Sequence, residues 1–124
     1  MSRILCIGDA MVDVIVQLKE PVNTGSDTAS EITMLSGGAA ANTAAWLAAT
    51  DNDVYFAGRV GDDAAGDGFI AELDRFGVSH GAMKVSGERT GMVVVLVDQN
   101  GERTMFPDSG ANSGISKQIG RAHV

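Results

Sequence analysis

Cysteine, aromatic side chains and positive charge are all scarce in this chain, and each shortage narrows what it can be. The single cysteine, Cys6, excludes an intrachain disulfide. It lies in the apolar run Ile4-Leu5-Cys6-Ile7 and reads as a small buried hydrophobe rather than a reactive thiol. Aromatics make up 5% of the 124 residues, so a core has to come from Val, Ile, Leu, Met and Ala. Nine Lys and Arg stand against 16 Asp and Glu, a formal net charge of -7. That balance argues against a nucleic-acid or anionic-membrane surface. It does not exclude ATP, whose phosphates are held by local N–H groups and bound metal. No apolar stretch approaches the roughly 20 residues that span a bilayer. No signal-peptide core with a cleavage site is visible either, so the cytoplasm is the expected compartment. His80 and His123 lack a Cys, Asp or Glu cluster at ligand spacing, so zinc is not expected.

What is present fits one soluble domain with a modest core: hydrophobic residues are 44% of the chain. Residues 3–8 form a short apolar strand that ends at Gly8-Asp9 and should be buried. Residues 12–18 alternate as a second strand, and 30–36 offer a third after the polar loop 21–30. Residues 38–50, with seven alanines and Trp46-Leu47, form the strongest helix. A strand follows at 53–58. The amphipathic helix 64–76 carries Phe69, Ile70, Leu73 and Phe76 on one stripe and closes at Gly77. Residues 91–98 are strongly β, Asn100-Gly101 signals a hairpin, and 103–107 would return. A weak helical pattern begins at Ile115. Met34, Met83, Met92 and Met105 read as core fillers. Alternating strands and helices with two β excursions, at 12–36 and 91–107, predict a parallel α/β core carrying a small β flap.

The most informative segment is Gly37-Gly38-Ala39-Ala40-Ala41-Asn42. A Gly pair lets backbone approach a ligand closely. The helix that follows aims free N–H groups at it, and Asn42 adds a donor and an acceptor. Such a site suits a neutral, hydroxyl-rich molecule at least as well as an anion. From the residues alone, Asp13 is either a ligand-binding carboxylate or a polar residue of a half-exposed strand. Asn42 either meets a ligand or bonds locally at its helix start. Asp9 reads as a turn cap. Asp62-Asp63 reads as a helix N-terminal charge pair, or as a device that orients the site around nucleotide phosphates. Arg103 and Asp108 are either substrate contacts or solvated.

The motifs come in a fixed order: Gly8-Asp9-Ala10-Met11-Val12-Asp13, the Gly-Gly segment, then Gly58-Arg59-Val60-Gly61-Asp62-Asp63-Ala64-Ala65-Gly66. Leu73-Asp74-Arg75-Phe76-Gly77-Val78, Arg89-Thr90-Gly91, Asn100-Gly101-Glu102-Arg103-Thr104 and Gly110-Ala111-Asn112 follow. With them the chain resembles the N-terminal portion of the ribokinase-like (PfkB-type) carbohydrate kinases over nearly its whole length. The resemblance implies a partial doubly wound parallel sheet with a small β-sheet lid. Residues 1–124 would be an incomplete domain whose C-terminal half is absent. It implies a sugar site formed by Asp13, Gly37, Gly38 and Asn42, with Val93 and Val95 of the lid covering the sugar's apolar face. The Ala39-Ala40-Ala41 stretch replaces a Lys or other polar residue common in such kinases, so ribose is not singled out.

In that family the catalytic Asp of a Gly-Ala-Gly-Asp segment and the ATP site lie in the C-terminal half. The chain is thus expected to be the substrate-binding half of an ATP-dependent sugar kinase and inactive alone. ATP and Mg2+ would serve the intact enzyme, and this chain would bind neither. Ala65-Gly66-Asp67 imitates the catalytic motif, but its neighbours match the N-terminal pattern and Asp67 is expected to be solvated. A homodimer through the lid or an exposed sheet is expected. The alternative is a non-catalytic, self-associating fragment that binds sugar weakly or not at all. A nicotinamide-dependent oxidoreductase is disfavoured because its phosphate-binding fingerprint is missing.

Overall fold

In the computed structural model, which describes residues 2–81 and 83–115, the described residues build three sheets: a core sheet, a lid sheet and a small two-stranded one. The core sheet is parallel, with strand order β1-β4-β6. It comprises β1 (Arg3–Ile7), β4 (Asp53–Ala57) and β6 (Ser79–His80). The lid sheet has the order β3-β2-β8-β9, with β2 (Met11–Leu18), β3 (Ser30–Gly37), β8 (Gly91–Val97) and β9 (Arg103–Asp108). Within it β2 and β3 are antiparallel, β2 and β8 parallel, and β8 and β9 antiparallel. A parallel pair, β5 (Val60–Gly61) and β7 (Lys84–Val85), bridges the region between them.

Helix α1 (Ala39–Ala48) and helix α2 (Ala64–Arg75) lie on the same face of the core sheet. Small side chains make this possible. Ala41 and Ala44 let α1 sit close to Cys6, Val54 and Phe56, while Phe69 and Leu73 bring α2 onto the same cluster. The rings of Phe56 and Phe69 pack with centroids 5.9 Å apart at a tilt of 49°, within the favourable range for aromatic pairs. Burial pushes the Cys6 thiol pKa up and keeps it protonated, so it acts as the apolar filler its sequence context suggested.

Several sequence expectations need correction. β1 was expected to be buried, yet only Cys6 on it is; Leu5 and Ile7 are 36% and 46% exposed. They point to the face that neither helix covers, an unusual situation because parallel sheets are normally covered on both faces. Phe76 was placed on the buried stripe of α2, but it is exposed. It follows the last helical residue, and Gly77 (φ 73) turns the chain so that Val78 enters the core instead. Of the four methionines expected as core fillers, Met83 is buried and Met92 half-buried, whereas Met34 and Met105 are exposed on the lid. The strands β5, β6 and β7 had no sequence signal, since two residues carry no periodicity. The helical pattern expected after Ile115 lies outside the described residues.

Phe56 has no exposed surface, so Phe56→Ala should cost about 3–5 kcal/mol through transfer and cavity terms. Leu5→Ala, on the bare face, should cost less than about 1 kcal/mol. Urea denaturation of the two variants checks the contrast, and equal losses would mean that Leu5 is covered in solution.

Candidate functional site

β2 presents alternate side chains to opposite faces of the lid. Asp13 stands opposite Leu35 of β3 and Val93 of β8, which puts all three on one face with Val95 two residues further along. The carboxylate is half-buried and accepts no hydrogen bond from the other described residues. Its seat is Gly37: a Cβ there would lie 2.7 Å from Asp13 Oδ1 and 2.8 Å from Oδ2. Any side chain at position 37 would therefore displace the carboxylate. The next residue, Gly38, has φ 96, and a Cβ on it would overlap the carbonyl oxygen of Asp9. Gly38 is also the N-cap of α1 and supplies no side-chain cap, so the first turn of that helix keeps donors for other partners.

Asn42 is exposed and its backbone N–H bonds the Gly38 carbonyl at 3.0 Å. Its side chain lines a cavity of about 510 Å³ between α1, α2 and the end of β3, together with Leu35, Gly37, Trp46, Phe69 and Phe76. The structure thus brings Asp13, Gly37, Val93 and Val95 onto one side of the lid. Asn42 sits in a neighbouring, mainly apolar cavity that shares Gly37 but does not include Asp13, Val93 or Val95.

A polar network holds the lid's base. Asp63 caps α2, its Oδ1 accepting from Gly66 N–H at 2.8 Å. The same carboxylate accepts from the Thr90 hydroxyl at 2.5 Å and the Thr90 N–H at 2.9 Å. The Thr90 hydroxyl in turn accepts from Gly61 N–H at 3.0 Å. Desolvation raises the Asp63 pKa, but the Thr90 and Gly66 hydrogen bonds outweigh it and hold the group below the usual carboxylate range. Arg59 donates to the Ala111 carbonyl at 3.0 Å and pairs with Glu88 at 2.8 Å.

Other sequence candidates fall away from this region. Asp67 is not simply solvated: it pairs with Lys84 in an exposed contact of 2.5 Å that raises the Lys84 pKa. His80 bonds Asp74 at 2.8 Å. Arg103 shares the Asp13 face of the lid but is exposed, and Asp108 lies on the opposite face, paired with Arg89 at 3.2 Å. Asp9 is exposed, and His123 lies outside the described residues. Among the described residues, no three His, Cys, Asp or Glu side chains gather to hold a metal ion. No helix among them is long and apolar enough to cross a membrane. Sequence reasoning gave no role to Thr90 or Asn112, the two buried polar side chains among the described residues. Their motifs were visible, but their partners lie 27 and 102 residues away.

Residues 1–120 match the family described as pfkB family carbohydrate kinase. An ATP-dependent ribose-1-phosphate kinase from Halopiger xanaduensis is 31% identical over 120 residues, covering 95% of this chain and 40% of that protein. A fructokinase from Vibrio alginolyticus is 36% identical over 107 residues, covering 84% of this chain and 31% of that protein. Among solved structures, a ribokinase from Giardia lamblia superposes with a TM-score of 0.89 at 24% identity, covering 99% of this chain and 41% of that one. The Arabidopsis thaliana ribokinase complexed with ribose and ATP gives 0.76 at 33% identity, covering 89% and 36%. The chain therefore spans about two fifths or less of the length of these relatives.

Asp63→Ala removes the α2 cap and both Thr90 bonds, and should cost about 1–2 kcal/mol at pH 7. Because the folded-state pKa is depressed, that advantage is complete above the unfolded value of about 3.9 and fades as pH falls through the lower native one. The gap between the denaturation midpoints of the two proteins should narrow as pH falls below the unfolded value, and a constant gap would rule out this origin.

Proposed function

The chain belongs to the pfkB family of carbohydrate kinases, and we propose that it is the substrate-binding part of an enzyme that transfers the ATP γ-phosphate to a sugar hydroxyl. The observation that carries this reading is the Asp13 carboxylate, seated over Gly37 with neither oxygen engaged by the described residues. Such a group can accept hydrogen bonds from two neighbouring hydroxyls. Gly37 seats that carboxylate and Gly38 lets the chain pass Asp9 into α1, and Asn42 offers a donor and an acceptor from the first turn of α1. Val93 and Val95 supply the apolar wall that keeps water from the ring.

ATP and Mg2+ serve the intact enzyme in this reading. What this chain contributes is binding, orientation and exclusion of water at the acceptor hydroxyl. The catalytic Asp is assigned to a Gly-Ala-Gly-Asp segment that this sequence lacks. In this reading residues 1–124 supply only part of the kinase domain, which works in the cytoplasm and pairs as a homodimer through the lid or the bare core sheet. The alternative is a non-catalytic, self-associating fragment with little or no affinity for sugar. It draws support from the apolar side chains left exposed at Leu5, Ile7, Ile32, Met34 and Phe106.

D-ribose and D-fructose titrations followed by NMR separate the two. Binding should shift the Asp13 and Gly37 amides, and Asp13→Asn should weaken it about 10- to 100-fold, the value of one or two charge-assisted hydrogen bonds. Unchanged affinity in the variant would remove Asp13 from the site. A coupled assay with MgATP should show no turnover by the 124-residue chain, and measurable turnover would refute its incompleteness. Light scattering should report a dimer; a monomer at all concentrations would exclude the self-association.

A further inference from the structure

Among the described residues, four chain crossings join the lid to the core: residues 8–10 before β2, 37–38 after β3, 86–90 before β8 and 109–110 after β9. Asn112, only 8% exposed, fastens the first to the last. Its Oδ1 accepts from Ala10 N–H at 2.9 Å, and its Nδ2 donates to the carbonyls of Ala10 and Ser109, each at 2.9 Å. Met11 Sδ lies 3.0 Å from the same nitrogen. Both N–H groups of the amide and its oxygen are engaged by the chain's own backbone, which ties it to the crossings. Gly91 makes the room: a Cβ there would overlap Asn112 Nδ2. Gly91 and Gly37 flank Met11 in a single row of the lid, one glycine under the Asn112 amide and the other under the Asp13 carboxylate.

We propose that Asn112 is a positioning residue: by clamping the crossing before β2 to the crossing after β9, it fixes the lid on the core. In doing so it sets the strand that carries Asp13, seated over Gly37, relative to the helix that carries Asn42. Its functional consequence rests on the sugar-site reading above. The clamp itself does not, because it acts on the backbone of Ala10 whether or not a sugar is present.

Hydrogen exchange on the full chain tests the clamp, with Val54→Ala, a buried change in β4, as the control for plain destabilisation. Asn112→Ala should speed exchange by about tenfold or more at Ala10 and in the first residues of β2 and β8, leaving the β1–β4 pairing protected. Val54→Ala should speed exchange across the core. A uniform increase in Asn112→Ala, or none, overturns the proposal. Should that variant fail to fold, Gly91→Ala displaces the same amide and must give the same local pattern, and its absence is equally fatal. D-ribose and D-fructose affinity, read by NMR on the folded fraction, should fall about tenfold in Asn112→Ala and stay within about twofold in Val54→Ala. Equal affinity in Asn112→Ala and the unsubstituted chain overturns the positioning role. If the unsubstituted chain binds neither sugar, it is the sugar-site reading that fails, and the exchange pattern alone decides the clamp.

Discussion

The architecture depends on how closely four strands of backbone can pass between two sheets. At that junction a methyl group is too much: a Cβ on Gly38 would strike Asp9, one on Gly91 would strike Asn112, and one on Gly110 would strike Arg89. Removing side chains brings carbonyls and N–H groups together in a place with little water, so each must find a partner. Asn112, Thr90 and Asp63 supply those partners, and Ala111 N–H closes the set by bonding the Arg89 carbonyl at 2.7 Å. The glycines and the polar side chains are therefore one device. The first make the approach possible, and the second compensate the groups that it desolvates.

This arrangement explains why a carboxylate and a glycine-led helix end up near each other despite belonging to different sheets. Asp13 is the third residue of a lid strand and Gly38 is the cap of a core helix. Gly37 ends the strand that pairs with the first and leads straight into the second. The candidate sugar groups are thus distributed on both sides of the junction, and their relative placement is only as firm as the crossings that join them.

Much of the architecture was legible in the sequence. The alanine run announced α1, the alternation at residues 12–18 announced β2, and Asn100-Gly101 announced the β8–β9 hairpin, because each signal is local and repeats with the period of its element. The exposed Leu5 and Ile7 were not legible, since an apolar run looks the same whether one face or both are covered. Phe76 misled because the helical stripe was extended one residue past the point where Gly77 reverses the chain. At the site, Asp13 and the Gly pair stood out as motifs. The work of Asn112 did not, for a contact 102 residues away leaves no trace in local spacing. The cavity beside Asn42 was equally invisible, as it requires α1, α2 and β3 to be set side by side.

The outer lid strand, β9, carries Pro107 directly opposite Val93. A proline in a paired strand is tolerated only where its missing N–H would have faced away from the neighbour. The rim of the lid is thus short of a donor at that point, and an incoming strand cannot continue the ladder past it. Edge-to-edge growth is blocked on that side, which leaves the opposite edge, β3, and the faces of the lid as the routes by which these apolar surfaces leave water.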